Sequence, residues 1–214
     1  MPPAKMNKYC LQNRVNPYGE IIETKARGSW MGNRGLLHNP EQHIIRPYKL
    51  KAWITCLLEF KGRYREIMTP NLYTELFFLD EATAFAAGHR PCFECRREDS
   101  NRFKAYWLKG NPAYNFSLKT SINAIDKILH QERMNEDGSK KMYKTNAGSL
   151  PDGTFISINK SPYLIINRHM YLWTPAGYTK KQTLPVDDEV NVLTPKSIVN
   201  AFYAGYVPQM NKQK

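Results

Sequence analysis

The chain has 214 residues, 42% of them hydrophobic and 12% aromatic, enough for one sizeable domain or two small ones with a buried core. No run approaches the ~18 consecutive apolar residues of a membrane span, and residues 1–14 lack the apolar stretch of a secretory leader, so a cytoplasmic protein with no membrane partner is expected. Lys and Arg number 31 against 19 Asp and Glu, a formal net charge of +12; such a chain attracts polyanions because each neutralised phosphate releases condensed counterions.

In chain order, residues 1–15 are polar and read as loosely held. The run Arg27-Gly28-Ser29-Trp30-Met31-Gly32-Asn33-Arg34-Gly35 reads as an irregular loop whose three glycines permit close backbone approach and whose two arginines suit phosphate. A solvated structural turn explains it equally well. Ala52 to Phe60 is β-branched and aromatic, and Lys61-Gly62-Arg63 supplies a turn. A hairpin returning through Tyr64 to Met68 is predicted, with a third strand over Tyr73 to Leu79. Asp80 suits the N-cap of a short helix over Glu81 to Ala87, closed by Gly88.

Two longer helices are predicted over Glu94 to Lys109 and Leu118 to Met134, the second from Leu118, Ile122, Ile125 and Leu129 on one face. Residues 135–148 read as flexible. Strands return over Thr154 to Asn159, Tyr163 to Ile166, His169 to Thr174 and Glu189 to Leu193, and Pro195 opens a last helix through Ala204. The order of strands, helices, strands and helix predicts an α+β fold of antiparallel strands, a cysteine knuckle, helices and a second small β region. It divides as 1–110 and 111–214, or runs as one continuous domain.

Four cysteines are present: Cys10, Cys56, Cys92 and Cys95. Cys92-Phe93-Glu94-Cys95 is a CxxC pair, whose thiolates can share a tetrahedral zinc across a tight turn. A redox pair is the rival, but no βαβ unit flanks it. The run from Phe78 to Cys95, an Ala-rich short helix, Gly88 and then Arg90-Pro91-Cys92-x-x-Cys95, resembles the N-terminal metal-binding domain of Ada-type alkylation-repair proteins over about 20 residues. His89 stands at the family's aromatic position. The resemblance implies zinc held by four cysteines, a basic face on DNA, and methyl transfer to an upstream cysteine. This chain departs from the family pattern: upstream it offers Cys56 alone where the family has a Cys-x-x-x-Cys pair. That argues against methyl transfer and leaves Cys10, His38, His43 or His89 as the fourth ligand, or else an incomplete site that binds no metal. The candidate metal set is Cys56, Cys92, Cys95 and His38. Cys56 as a small core residue is an equal alternative.

Glu75, in the alternating run YTELFF, is the leading candidate for a carboxylate with a raised pKa that acts as acid or base. Asp80 is the second, with helix capping its simpler role. Arg27, Arg34, Arg63, Arg90, Arg96 and Arg97 are candidate phosphate contacts, and Tyr178, in the loop-like run after Trp173, is a candidate for stacking on a base. Two functions follow. The leading one is a DNA-binding enzyme of repair or defence type, a glycosylase-like hydrolase acting on modified or damaged bases. The other is a non-catalytic zinc-containing nucleic-acid-binding module.

Overall fold

A computed structural model describes residues 10–64 and 66–211. Of the loosely held start expected for residues 1–15, residues 1–9 lie outside them, whereas 12–15 form a strand of the first sheet with Asn13 and Val15 buried, because they pair with neighbouring strands on both sides. The fold is α+β, with two six-stranded sheets and four helices. The first sheet contains β1 (Gln12–Val15), β2 (Ile21–Glu23), β3 (Trp30–Asn33), β4 (Ile54–Cys56), β5 (Leu76–Phe78) and the two-residue β6 (Arg90–Pro91), in the order β2-β1-β5-β3-β4-β6. Its β1–β5 and β4–β6 pairs are parallel, so this sheet is mixed where antiparallel strands were expected. Between β5 and β6 runs α1 (Glu81–Ala86), and after β6 come α2 (Arg97–Gly110) and α3 (Ile122–Arg133).

The second sheet is antiparallel throughout. It contains β7 (Tyr143–Asn146), β8 (Phe155–Ile158), β9 (Ser161–Ile166), β10 (His169–Thr174), β11 (Gly177–Thr183) and β12 (Glu189–Val192), in the order β11-β10-β9-β8-β12-β7. The chain then enters α4 (Lys196–Tyr203).

Four local expectations change. The glycine-rich run 27–35 contains β3, wedged between β5 and β4. Its glycines do permit close approach, but to the protein's own backbone: a Cβ on Gly32 would stand 2.3 Å from the Ile54 carbonyl oxygen. The hairpin through Lys61 does not form, and no strand lies among the described residues from 57 to 75. β4 stops at Cys56 because it pairs with β3 and β6 instead, leaving Leu57 and Leu58 exposed. The segment 135–148 closes into β7 against β12. The loop expected at Tyr178 is β11, paired along its length with β10.

The first helix forms as read. Asp80 accepts from the Thr83 amide at 2.8 Å, and Gly88 ends the turn at φ +88°, where a side chain would be strained. The helical core joins Phe85 of α1, Phe103 and Trp107 of α2, Ile125 and Leu129 of α3, and Ile198 and Phe202 of α4. A second cluster sets Ala82 and Ala86 of α1 against Phe155, Leu164 and Tyr178 of the second sheet. The small alanines let α1 lie close between its neighbours. Residues 206–211 then return over α1: the Ala82 amide donates to the Gln209 carbonyl at 3.1 Å.

Candidate metal centre

Parallel pairing of β4 with β6 builds the site. Ile54 lies opposite Arg90 and Thr55 opposite Pro91, and the Cys92 amide continues the ladder to the Thr55 carbonyl at 2.9 Å. That register sets Cys56 beside Cys92. A tight turn, closed by the Arg96 amide on the Cys92 carbonyl at 3.0 Å, brings Cys95 round before α2 begins. The three sulfurs lie within 4.8 Å of one another, so the trio could hold a metal ion. Cys56 and Cys92 are buried and Cys95 is partly exposed.

The electrostatics favour thiolates. Hydrogen bonding from Cys56 pulls the Cys92 thiol down to about 5, against the opposing effect of burial, and the Glu94 and Cys95 amides also stabilise its anion. Cys95 is lowered chiefly by Cys56, with help from the Leu57 amide. Cys56 is pushed up because its proton serves both neighbours and because it is buried. Cys56 thus acts as the donor to both Cys92 and Cys95, and a soft cation among the three sulfurs would take the place of that shared proton.

The sequence-derived candidates divide clearly. Cys56, Cys92 and Cys95 come together, whereas His38 lies apart from them: its ring nitrogens sit 2.6 Å from Thr74 Oγ1 and 3.2 Å from the Thr69 carbonyl. Neither Cys10, His43 nor His89 belongs to the trio, and among the described residues no fourth His, Cys, Asp or Glu joins it. His89 is buried between Trp53 and Phe78 and accepts a bond from Arg34 Nε at 3.2 Å. Burial and the Arg34 and Arg133 charges hold its pKa well down.

Both candidate acids are engaged inside the chain. Glu75 accepts from the Met68 amide at 2.9 Å. Asp80 accepts on one oxygen from the amide and hydroxyl of Thr83, and on the other from the Tyr178 hydroxyl at 2.7 Å and the Asn211 amide at 3.0 Å. Burial raises the Asp80 pKa and these donors oppose the rise. Tyr178, read as a loop residue able to stack on a base, is 1% exposed, because strand alternation in β11 turns it inward to reach Asp80.

Of the arginines, Arg27, Arg63 and Arg97 are exposed and Arg34, Arg90 and Arg96 are buried. Arg90 forms a two-pronged pair with Asp126, both contacts at 2.7 Å. Arg96 pairs with Glu81 and stacks over Trp30 at 3.9 Å. These buried guanidiniums brace the knuckle from within. Around its outer face stand Arg63, bridged to Glu94 at 2.8 Å, and Arg97 over the exposed ring of Phe93 at 4.7 Å.

Two cations that sequence reading passed over, Arg133 and Lys140, gather beside Arg34. Lys140 had only a place in a polar segment to mark it, and Arg133 only the end of a helix; neither is a local signal. Comparison with protein-family models, curated proteins and solved structures finds no match for the chain. No helix among the described residues is long and apolar enough to cross a membrane.

Proposed function

We propose that the chain is a nucleic-acid-binding protein, with DNA the favoured target, whose Cys56, Cys92 and Cys95 hold a structural zinc ion. The observation that carries this reading is the convergence of three sulfurs within 4.8 Å on a turn whose outer face presents Arg63, Phe93 and Arg97. Three thiolates are ligands that zinc accepts readily; the ion would clamp the end of β4 to the turn ahead of α2 and fix the basic groups beside it. The resemblance of Asp80–Cys95 to the Ada-type metal-binding segment supports the same reading, as does the net charge of +12.

A non-catalytic module asks nothing further of the chain. Base excision would need an acid facing its substrate, and both oxygens of Asp80 already accept two bonds each within the fold. The binding reading is therefore preferred.

Fluorescence anisotropy of the metal-loaded protein on duplex and single-stranded oligonucleotides across a salt series tests it. Replacing Arg63 and Arg97 together by alanine should weaken binding to all sequences alike and flatten the log–log salt slope by about 2. An unchanged affinity, or no binding at low salt, would overturn the proposal. Product formation from modified DNA would favour an enzyme instead.

A further inference from the structure

A cleft of about 540 Å³ opens beside the first sheet, between the β1–β2 turn, the segment around Ile44 and the turn at Gly138. It lies in the size range of small-molecule sites, roughly 300–1,000 Å³. Its walls combine an apolar side, Tyr18, Ile21 and Ile44, with three cations, Arg34, Arg46 and Lys140. Among the described residues one acid lines it, Glu20, which is exposed and accepts from Asn16 Nδ2 at 2.7 Å.

Arg34 is the informative residue. It is 1% exposed, donates through Nη1 to the Gly19 carbonyl at 2.9 Å and through Nε to His89, and its Nη2 has no partner among the described residues. Burying an unmatched guanidinium donor is costly. Among the described residues no carboxylate pairs with it: Arg133 adds positive charge beside it, Lys140 lies close by, and Asp126, whose charge reaches Arg133, is already bidentate with Arg90. Trp53 softens the cluster from within, its ring 3.8 Å from both the Arg34 and Arg133 guanidinium carbons, but a ring face offers no oxygen to Nη2. Lys140 donates to the Ala86 carbonyl; burial and the neighbouring arginines hold its amine down to about 7, and an anionic group beside it would favour the ammonium form. Excess cation, an orphaned buried donor and an open cleft coincide.

We propose that this cleft binds a phosphorylated ligand of nucleotide size, its phosphoryl group held by Arg34, Lys140 and Arg46 and its apolar body set against Tyr18, Ile21 and Ile44. The phosphoryl group belongs either to a free nucleotide or to a nucleic-acid strand. The site is independent of the cysteine knuckle, and its residues are distinct from Arg63 and Arg97.

Isothermal titration of the full chain with AMP, with adenosine and with a short single-stranded oligonucleotide tests this. AMP should saturate the protein and bind at least about tenfold more tightly than adenosine, and Lys140→Met and Arg46→Ala should each weaken it by about tenfold. Arg46 is exposed, so its variant keeps the test meaningful if altering Lys140 perturbs folding. Binding of the oligonucleotide but not AMP, with the same dependence on Lys140 and Arg46, identifies the strand as the source and supports the site. Equal binding of AMP and adenosine, wild-type affinity in both variants, or no saturable binding of either phosphate ligand overturns it. The Arg63 and Arg97 variants separately report the knuckle surface, so either proposal can fail alone.

Discussion

The Arg90–Asp126 pair holds the residue two positions ahead of Cys92 to helix α3. Arg90 Nε and Nη2 each donate to Asp126 at 2.7 Å, with side chains only 5% and 4% exposed. Asp126→Asn keeps the shape but removes the charge, leaving a buried guanidinium uncompensated at a cost of about 3–5 kcal/mol. For a chain of this length each kcal/mol lowers Tm by about 2–4 °C, so a fall of about 6–20 °C is expected in thermal unfolding. Because Arg90 is paired with Ile54 across the β4–β6 ladder, metal affinity at Cys92 should fall too. Arg90→Met combined with Asp126→Leu removes both charges and should recover much of the stability. That double variant should also keep its nucleic-acid affinity, since Arg90 is buried. A loss below about 1 kcal/mol in Asp126→Asn, or collapse of nucleic-acid binding in a folded double variant, would refute the reasoning.

Asp80→Asn should cost about 1–3 kcal/mol and expose residues 205–211 to limited proteolysis, because Asn211 and Tyr178 lose their shared acceptor; salt-dependent nucleic-acid binding should be retained at temperatures where the variant is folded. Gly88→Ala should destabilise by about 1–3 kcal/mol in urea titrations, since φ there is +88° and the new Cβ would lie 2.4 Å from Arg133 Cδ. Burial, with the Arg133 and Arg34 charges, lowers Lys140 from its ordinary 10.5 to about 7. Between those values the unfolded chain holds the extra proton, so stability should rise with pH from about 7 to 9.5. That rise should be reduced in Lys140→Met; an equal slope in both proteins would contradict it.

Local signals survived folding where the physics is local. The α1 helix was legible because an N-cap, a run of alanines and a stop glycine act within about ten residues. The CxxC turn was legible for the same reason, and the third thiol, Cys56, was within reach as a candidate but not as a certainty, because a β4–β6 pairing 36 positions apart leaves no trace in spacing. Strand β3 was hidden by Gly32 within it and by Gly28 and Gly35 on either side: a residue that looks like a loop former is required where Gly32 meets the Ile54 carbonyl. The arginines misled most, since charge alone says surface. Burial of Arg90 depends on Asp126 and that of Arg34 on His89, partners distant in the chain. Likewise Tyr178 turns inward because Asp80, 98 positions away, accepts its hydroxyl proton.

Metal analysis bears most directly on the proposal that Cys56, Cys92 and Cys95, and not Cys10, hold the ion. Protein reconstituted with zinc, desalted and analysed for metal and by X-ray absorption should carry one zinc per chain, bound by three sulfurs at about 2.3 Å and one lighter atom. Cys56→Ser, Cys92→Ser and Cys95→Ser should each lose the ion, and Cys10→Ser should keep it. Absence of stoichiometric metal, or its loss in Cys10→Ser, would contradict the account.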